Sequence, residues 1–133
     1  MKVAINQSNY ISWRGYFDMI RSVDLYILYD DVQYTKRDWR NRNKINKDWR
    51  FNHLKTIKGS YSKSKYFTDV FPLVEELYLS AKFETISEIN FHFISGICNY
   101  LNIDTDITFS SNYDLSENRK TERLVDICKQ AGA

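Results

Sequence analysis

The amino-acid sequence predicts an α/β fold, with a small, mostly parallel sheet of about three strands flanked by about four to five helices. Two observations lead to this prediction. A strand, a helix and a second strand follow one another within the first thirty or so residues, and most later segments repeat apolar residues at helical spacing. The length of 133 residues suits a single domain spanning residues 1–133.

The first three elements lie between Lys2 and Tyr29. Lys2 to Asn6 predicts a short strand, and the run of β-forming residues from Asp24 to Tyr29 predicts a second strand. Between them, the segment from Trp13 to Arg21 predicts a helix whose apolar side carries Tyr16, Phe17 and Ile20. This order predicts a parallel strand pair joined by a right-handed crossover.

The remaining elements are mostly helical. Residues 48–58 and 64–79 predict two helices, and we expect the second to bend or restart at Pro72. Thr85 and Glu88 form a capping-box pattern that opens a long helix reaching Leu101. A third strand is predicted over residues 107–110, and a last helix over residues 119–130.

Composition narrows the classes of protein that the chain can represent. No apolar run approaches the length that crosses a bilayer, and the N-terminus turns polar by Asn6, so we expect a cytoplasmic protein without a membrane span. Cys98 and Cys128 lack a CxxC partner and predict core-filling thiols. His53 and His92 lack paired ligands, so no metal and no cofactor are predicted.

The charge is unevenly distributed, although the net charge is only +2. Residues 34–65 carry eleven Lys and Arg against two acids, so the rest of the chain is acidic. Motifs of the GxSxG, P-loop and GxGxxG types are absent, which removes support for hydrolase, NTPase and ordinary dinucleotide-binding functions.

The loop after the first strand is the first candidate ligand segment, because ligands of open α/β sheets bind beyond the carboxyl ends of the strands. Amides and aromatic rings here suit a base or a sugar, and a glycine at a helix start lets a ligand approach the backbone. The candidate contacts are Gln7, Asn9, Tyr10, Trp13, Gly15 and Tyr16. A buried turn packed by aromatic side chains explains the same pattern.

The segment after the second strand is the second candidate. Asp30 and Asp31 are paired carboxylates, one of which can act as a general base, or they cap the strand and neutralise nearby arginines. The residues that follow combine phosphate-binding cations with amides and rings, which favours a ligand site over a solvated basic face. The candidate contacts are Gln33, Tyr34, Lys36, Arg37, Arg40, Asn41, Arg42, Asn43 and Lys44.

Three segments, residues 7–20, 30–45 and 120–128, closely resemble the signature segments of the WbqC-like family. The resemblance implies a bacterial protein of O-antigen, lipopolysaccharide or related glycan biosynthesis. It also implies modification of a nucleotide-activated amino sugar by acyl or aminoacyl transfer. Arg123 becomes a candidate contact only through this resemblance.

The chain departs from the family pattern in two ways. Ser8 and Ser12 stand where members usually carry Pro, so we expect a less rigid loop. A stretch between Lys44 and Trp49 is reduced, and members usually continue beyond the position of Ala133, so we expect a shortened form of the family pattern.

A second likeness concerns the start of the chain. A strand, a loop, Trp13-Arg14-Gly15-Tyr16 and a helix are similar to the Rossmann-like start of nucleotidylyltransferases, which carry an HxGH motif at this point. Trp13 and Tyr16 replace both imidazoles here. The shape suits a nucleotide, but nucleotidyl transfer is not predicted.

Two functions remain. The favoured one is a glycan-pathway transferase whose partner is a small nucleotide sugar, bound by Arg37, Arg40, Arg42 and Lys44, with Trp13 or Tyr16 stacked on a base or sugar. The alternative is a single-stranded nucleic-acid-binding module that uses the basic, aromatic residues 34–65. The acidic remainder of the chain disfavours nucleic acid, and homo-oligomerisation is left open.

Overall fold

The computed structural model describes residues 1–30, 49–114 and 120–133. Within these residues the chain is an α/β protein with a three-stranded parallel sheet and five helices, as the sequence predicts. The strands are β1 (Val3–Asn6), β2 (Leu25–Leu28) and β3 (Asp106–Phe109). The helices are α1 (Arg14–Arg21), α2 (Trp49–Tyr61), α3 (Phe67–Ser80), α4 (Ile86–Tyr100) and α5 (Lys120–Gln130).

The sheet has the order β1-β2-β3, with β2 in the centre. Val3 pairs with Leu25, and Leu25 pairs with Asp106, so all three strands are parallel and in register. Their carboxyl ends therefore lie along one edge of the sheet. At that edge β3 continues into a short 3-10 turn, Ser110–Asn112.

One face of the sheet is covered by α1 and α4. Ile20 of α1, Tyr26 and Leu28 of β2, and Ile94 and Cys98 of α4 are buried in one apolar cluster. Burying each aliphatic side chain contributes about 1.5–3 kcal/mol.

Ile27 of β2 lies on the other face of the sheet. This residue points to the opposite side of β2 from Tyr26 and Leu28 because side chains alternate along a strand. Ile27 and Ile127 of α5 are both fully buried and lie outside the first cluster.

The described residues divide into two compact units. The first unit contains the sheet, α1, α4 and α5, and the second contains α2 and α3. In the second unit, Trp49 and His53 of α2 contact the ring of Tyr78 in α3, and Arg50 Nη1 donates a hydrogen bond to the carbonyl oxygen of Leu79 at 3.3 Å.

The predicted boundaries are close to the observed ones, with two differences in the second unit. Helix α3 begins at Phe67 and runs through Pro72 as one continuous element, so the predicted restart at Pro72 is wrong. Pro72 lies near the start of the helix, and its missing N–H removes one hydrogen bond, which the other turns tolerate. Helix α2 continues beyond Lys58 to Tyr61, and Asp48, its predicted start, lies outside the described residues.

Candidate functional site

The candidate site lies at the carboxyl ends of β1 and β2. Asn6 pairs with Leu28 at these ends, and the backbone N–H of Tyr29 donates a hydrogen bond to the carbonyl oxygen of Asn6 at 2.8 Å. The loop after β1, residues 7–13, therefore meets Asp30, which follows β2. This edge is where parallel α/β sheets bind their ligands.

Asp30 accepts three hydrogen bonds at this edge. The backbone N–H of Ser8 donates to Oδ1 at 2.9 Å, and the Ser8 hydroxyl donates to Oδ2 at 2.7 Å. The hydroxyl of Ser87, in the first turn of α4, also donates to Oδ2. A carboxylate offers about four acceptor positions. Among the described residues, the carboxylate of Asp30 therefore keeps one acceptor position, on Oδ1, for a further donor.

Asn90 extends this network into the core. Its side chain is only 5% exposed, and Nδ2 donates to the Ser8 hydroxyl oxygen at 3.0 Å. Because the Ser8 hydroxyl donates its own proton to Asp30, it accepts from Asn90, and this fixes the orientation of the amide. The buried Oδ1 of Asn90 has no hydrogen-bond partner within the described part of the chain. An unpaired buried acceptor costs about 1–3 kcal/mol.

The loop between β1 and α1 also packs on α4. The ring of Tyr10 meets the ring of Phe93 edge-on, with centroids 5.7 Å apart. The Ser12 hydroxyl donates to the carbonyl oxygen of Asn9 at 3.3 Å. Between them, Ile11 has a φ of 42°, a backbone region that β-branched residues rarely adopt. The loop is thus held in a strained turn at the edge of the site.

Trp13 and Gly15 form the start of α1. Trp13 is the N-cap residue, and its indole is 72% exposed while part of the ring lies against Gly15. A Cβ atom at position 15 would collide with Cζ3 and Cη2 of the indole. The N-cap makes no side-chain hydrogen bond to the helix, and the first turn carries no acid, so the amide end of α1 keeps its partial positive charge.

Tyr16 links α1 to the loop from inside the core. Its side chain is 1% exposed, and its hydroxyl donates to the carbonyl oxygen of Gln7 at 2.9 Å. Burial raises the pKa of Tyr16 well above its ordinary value, and the nearby Tyr26 hydroxyl and the negative charge of Asp30 raise it further. Of the two aromatic side chains predicted to stack on a ligand, only Trp13 presents an exposed face.

The predicted site residues fall into three groups. The structure brings Gln7, Asn9, Tyr10, Trp13, Gly15, Tyr16 and Asp30 together in the first unit, at the carboxyl ends of β1 and β2 and the start of α1. Arg123 lies in α5 and is partly buried. The third group lies outside the described residues and comprises Asp31, Gln33, Tyr34, Lys36, Arg37, Arg40, Asn41, Arg42, Asn43 and Lys44.

Three polar residues of the network were not predicted as site residues, namely Ser8, Ser87 and Asn90. A signal for Asn90 was present in the sequence, because Asn90 lies four residues from both Ile86 and Ile94 and so shares their helix face. A polar residue on such a face is buried with a partner or next to a ligand.

Other groups in the described residues give little sign of further chemistry. Cys98 and Cys128 are free, and Cys98 is buried, as predicted. Burial raises the pKa of the Cys98 thiol. The described ranges contain no group of three or more His, Cys, Asp or Glu side chains that could hold a metal ion. None of the helices described is long and apolar enough to span a bilayer.

Comparison with known proteins confirms the resemblance noted in the sequence. The profile of the WbqC-like protein family matches residues 7–48 and 44–133. An uncharacterized protein of Mycobacterium tuberculosis, Rv1507c, is 38% identical over 161 aligned positions, which cover 99% of this chain and 69% of that protein. No solved structure matches the chain.

Proposed function

Because the chain belongs to the WbqC-like protein family, we propose that it binds a nucleotide-activated amino sugar and transfers an acyl or aminoacyl group to it. The setting we propose is the biosynthesis of O-antigen or a related bacterial surface glycan. The family resemblance supplies this setting, and the network around Asp30 supplies the chemistry.

The remaining acceptor position on Asp30 Oδ1 is the observation that carries the proposal. In acyl transfer, an amine or hydroxyl of the sugar attacks the acyl carbon of an activated donor, the bond between that carbon and the donor's leaving group breaks, and the attacking group loses a proton. Asp30 is held by Ser8 and Ser87, so its Oδ1 is oriented at the sheet edge without further rearrangement. Asp30 then accepts the proton of the attacking group, and Asp31 stays the second candidate for this role.

The start of α1 supports the binding of the nucleotide part. The exposed face of the Trp13 indole offers a surface for a base or sugar, and the uncapped amide end of α1 favours a phosphate. Arg37, Arg40, Arg42 and Lys44 are proposed to hold the diphosphate through charge-assisted hydrogen bonds.

A thermal-shift panel of UDP, GDP, TDP and their amino-sugar conjugates tests the binding step. We expect one conjugate to raise the melting temperature, since a ligand at about 100 times its dissociation constant adds about 2.7 kcal/mol of stability. Arg40→Ala should weaken that binding tenfold or more. A panel without any shift contradicts the proposal, as does tight binding of single-stranded oligonucleotides with a steep salt dependence.

Asp30→Asn separates binding from chemistry. The amide keeps the size of the side chain and some of its hydrogen bonds, but it is a far weaker proton acceptor. With the conjugate found in the panel and an activated acyl donor, we expect near wild-type affinity and at least a hundredfold slower transfer. Unchanged turnover in Asp30→Asn removes Asp30 from the mechanism, and Asp31→Asn then tests the second candidate.

A further inference from the structure

The second unit carries a strongly basic surface that the proposed site does not use. Residues 49–68 contain five Lys and Arg and no acid, and the first acid along α3 is Asp69. Three of the lysines lie where α2 turns into α3. We define the hairpin tip as Lys58, Tyr61, Lys63, Lys65 and Tyr66, all of which are exposed.

The hairpin tip presents two aromatic rings along with its charge. Tyr61 and Tyr66 are 58% and 61% exposed, high values for such large side chains. The ammonium group of Lys65 lies 5.1 Å from the centroid of the Tyr66 ring, in a cation–π contact. A tyrosine side chain combines an apolar ring with a polar hydroxyl, so these two residues suit an interface that is apolar on one side and wet on the other.

The backbone of the hairpin tip is ordered. Ser64 donates its N–H to the carbonyl oxygen of Tyr61 at 2.9 Å, and Phe67 donates to that of Ser64 at 3.1 Å. Directly behind the tip, the rings of Phe67 and Phe71 stack with centroids 4.7 Å apart. The charges and rings are therefore displayed on a preformed turn, which lowers the entropy lost on binding.

We propose that the hairpin tip docks the protein on the anionic surface of a phospholipid bilayer. Tyr61 and Tyr66 enter the headgroup layer, where rings with a polar end are favoured, and the lysines contact lipid phosphates through their flexible stems. The hairpin tip is an exposed turn between two helices, whereas single strands bind along basic grooves, so we favour the bilayer over nucleic acid.

Co-sedimentation with vesicles tests the docking. We expect the full chain to sediment with vesicles that contain phosphatidylglycerol, to stay in solution with pure phosphatidylcholine, and to be released by high salt. Inorganic phosphate at matched ionic strength should release no more protein than sodium chloride does. Release by phosphate alone overturns the proposal, because it indicates a site for a free phosphate. Failure to bind anionic vesicles also overturns it.

Variants assign the binding to the hairpin tip. Lys63→Glu with Lys65→Glu should reduce vesicle binding at least tenfold, and Tyr61→Ser with Tyr66→Ser should reduce it while keeping its salt dependence. Lys2→Glu with Lys129→Glu makes the same change in net charge at exposed positions of the first unit and should leave binding unchanged.

Circular dichroism at matched concentration checks that each variant remains folded. Equal vesicle binding by the tip and control variants overturns the assignment. Single-stranded DNA bound through the same lysines, in a protein that ignores vesicles, identifies nucleic acid as the partner instead.

Discussion

At the scale of single residues, Gly15 matters because the Trp13 indole packs against it. The Trp13 indole occupies the volume that a side chain at position 15 requires, so the ring rests on the helix start only while residue 15 is glycine. The ring is exposed on its other side and can swing away at little cost. Gly15 is therefore needed for the position of Trp13 and not for the stability of α1.

We predict that Gly15→Ala weakens nucleotide binding without destabilising the protein. Alanine gains up to about 1 kcal/mol over glycine in a helix, which offsets the displacement of the indole. The affinity for the nucleotide found in the panel should fall to the level of Trp13→Ala, while the free energy of unfolding in urea stays the same or rises.

Gly59→Ala is the matched control for this prediction. Gly59 lies inside α2, and a Cβ atom there meets nothing within 4 Å. The control should gain the same helix stability and keep full affinity. Equal affinities of Gly15→Ala and wild type contradict a role for the Trp13 ring in binding.

At the scale of elements, α4 connects the core to the candidate site. Ile94 and Cys98 pack against the sheet, while Ser87 and Asn90 of the same helix hold Asp30 and Ser8. The hydroxyls of Ser8 and Ser87 share one acceptor, Oδ2 of Asp30, so neither hydrogen bond is independent of the other.

We predict that Ser8→Ala and Ser87→Ala are coupled in stability. Each loss of a hydrogen bond to a carboxylate should cost about 1–3 kcal/mol. When one donor is removed, the hydrogen bond from the other donor becomes stronger. The loss of unfolding free energy in the double variant should therefore differ from the sum of the losses in the two single variants by at least about 0.5 kcal/mol. Urea unfolding of the four proteins in the cycle measures this difference.

A cycle of Ser87→Ala with Thr105→Val provides the comparison. Thr105 donates to the carbonyl oxygens of Ile20 and Val23, just before the amino ends of β2 and β3, and shares no partner with Ser87. The effect of Thr105→Val on the free energy of unfolding should add to that of Ser87→Ala. Additive effects in the Ser8 and Ser87 cycle would contradict a shared acceptor.

The elements themselves were predictable because their signals are local. The apolar spacing after Thr85 fixed α4 to within a residue. The spacing of Tyr16, Phe17 and Ile20 likewise indicated the buried side of α1. The contact between Ser8 and Asn90 was not predictable, since it joins residues 82 positions apart and depends on how α4 packs on the sheet. Trp13 and Tyr16 looked alike as ligand rings, and only packing separates the exposed ring from the buried one.

At the scale of the whole molecule, the family profile begins at the sheet edge that carries the candidate site. The three carboxyl ends share one edge, and the family profile begins at Gln7, the first residue beyond β1. The 161 aligned positions exceed the 133 residues of this chain, so part of the mycobacterial relative has no counterpart here.

The core beside this edge contains ionisable groups whose burial favours their protonated form. Tyr16, Tyr26 and Cys98 lie in one buried cluster, and burial is the main cause that raises the pKa of each. The Tyr26 hydroxyl lies near the Tyr16 hydroxyl and the Asn6 side chain without forming a hydrogen bond to either.

We predict that the protein loses stability as the pH rises above about 9. The unfolded chain releases these protons near the ordinary values of 9.0 for Cys and 10.0 for Tyr, whereas the folded protein keeps them. The unfolded state then binds fewer protons, so the free energy of unfolding falls by up to about 1.4 kcal/mol per pH unit for each group. Below pH 8 these groups should not make the free energy of unfolding depend on pH.

Tyr26→Phe tests this linkage at one position. The Tyr26 hydroxyl has no hydrogen-bond partner within residues 1–30, 49–114 and 120–133, so its removal should cost little at neutral pH. The variant should also make the alkaline decline in the free energy of unfolding shallower by the contribution of one proton. Tyr100→Phe alters an exposed ring and should leave the slope unchanged. Urea unfolding between about pH 7 and 11 gives the slopes, and equal slopes for Tyr26→Phe and wild type would show that the buried tyrosines do not set the alkaline limit of the fold.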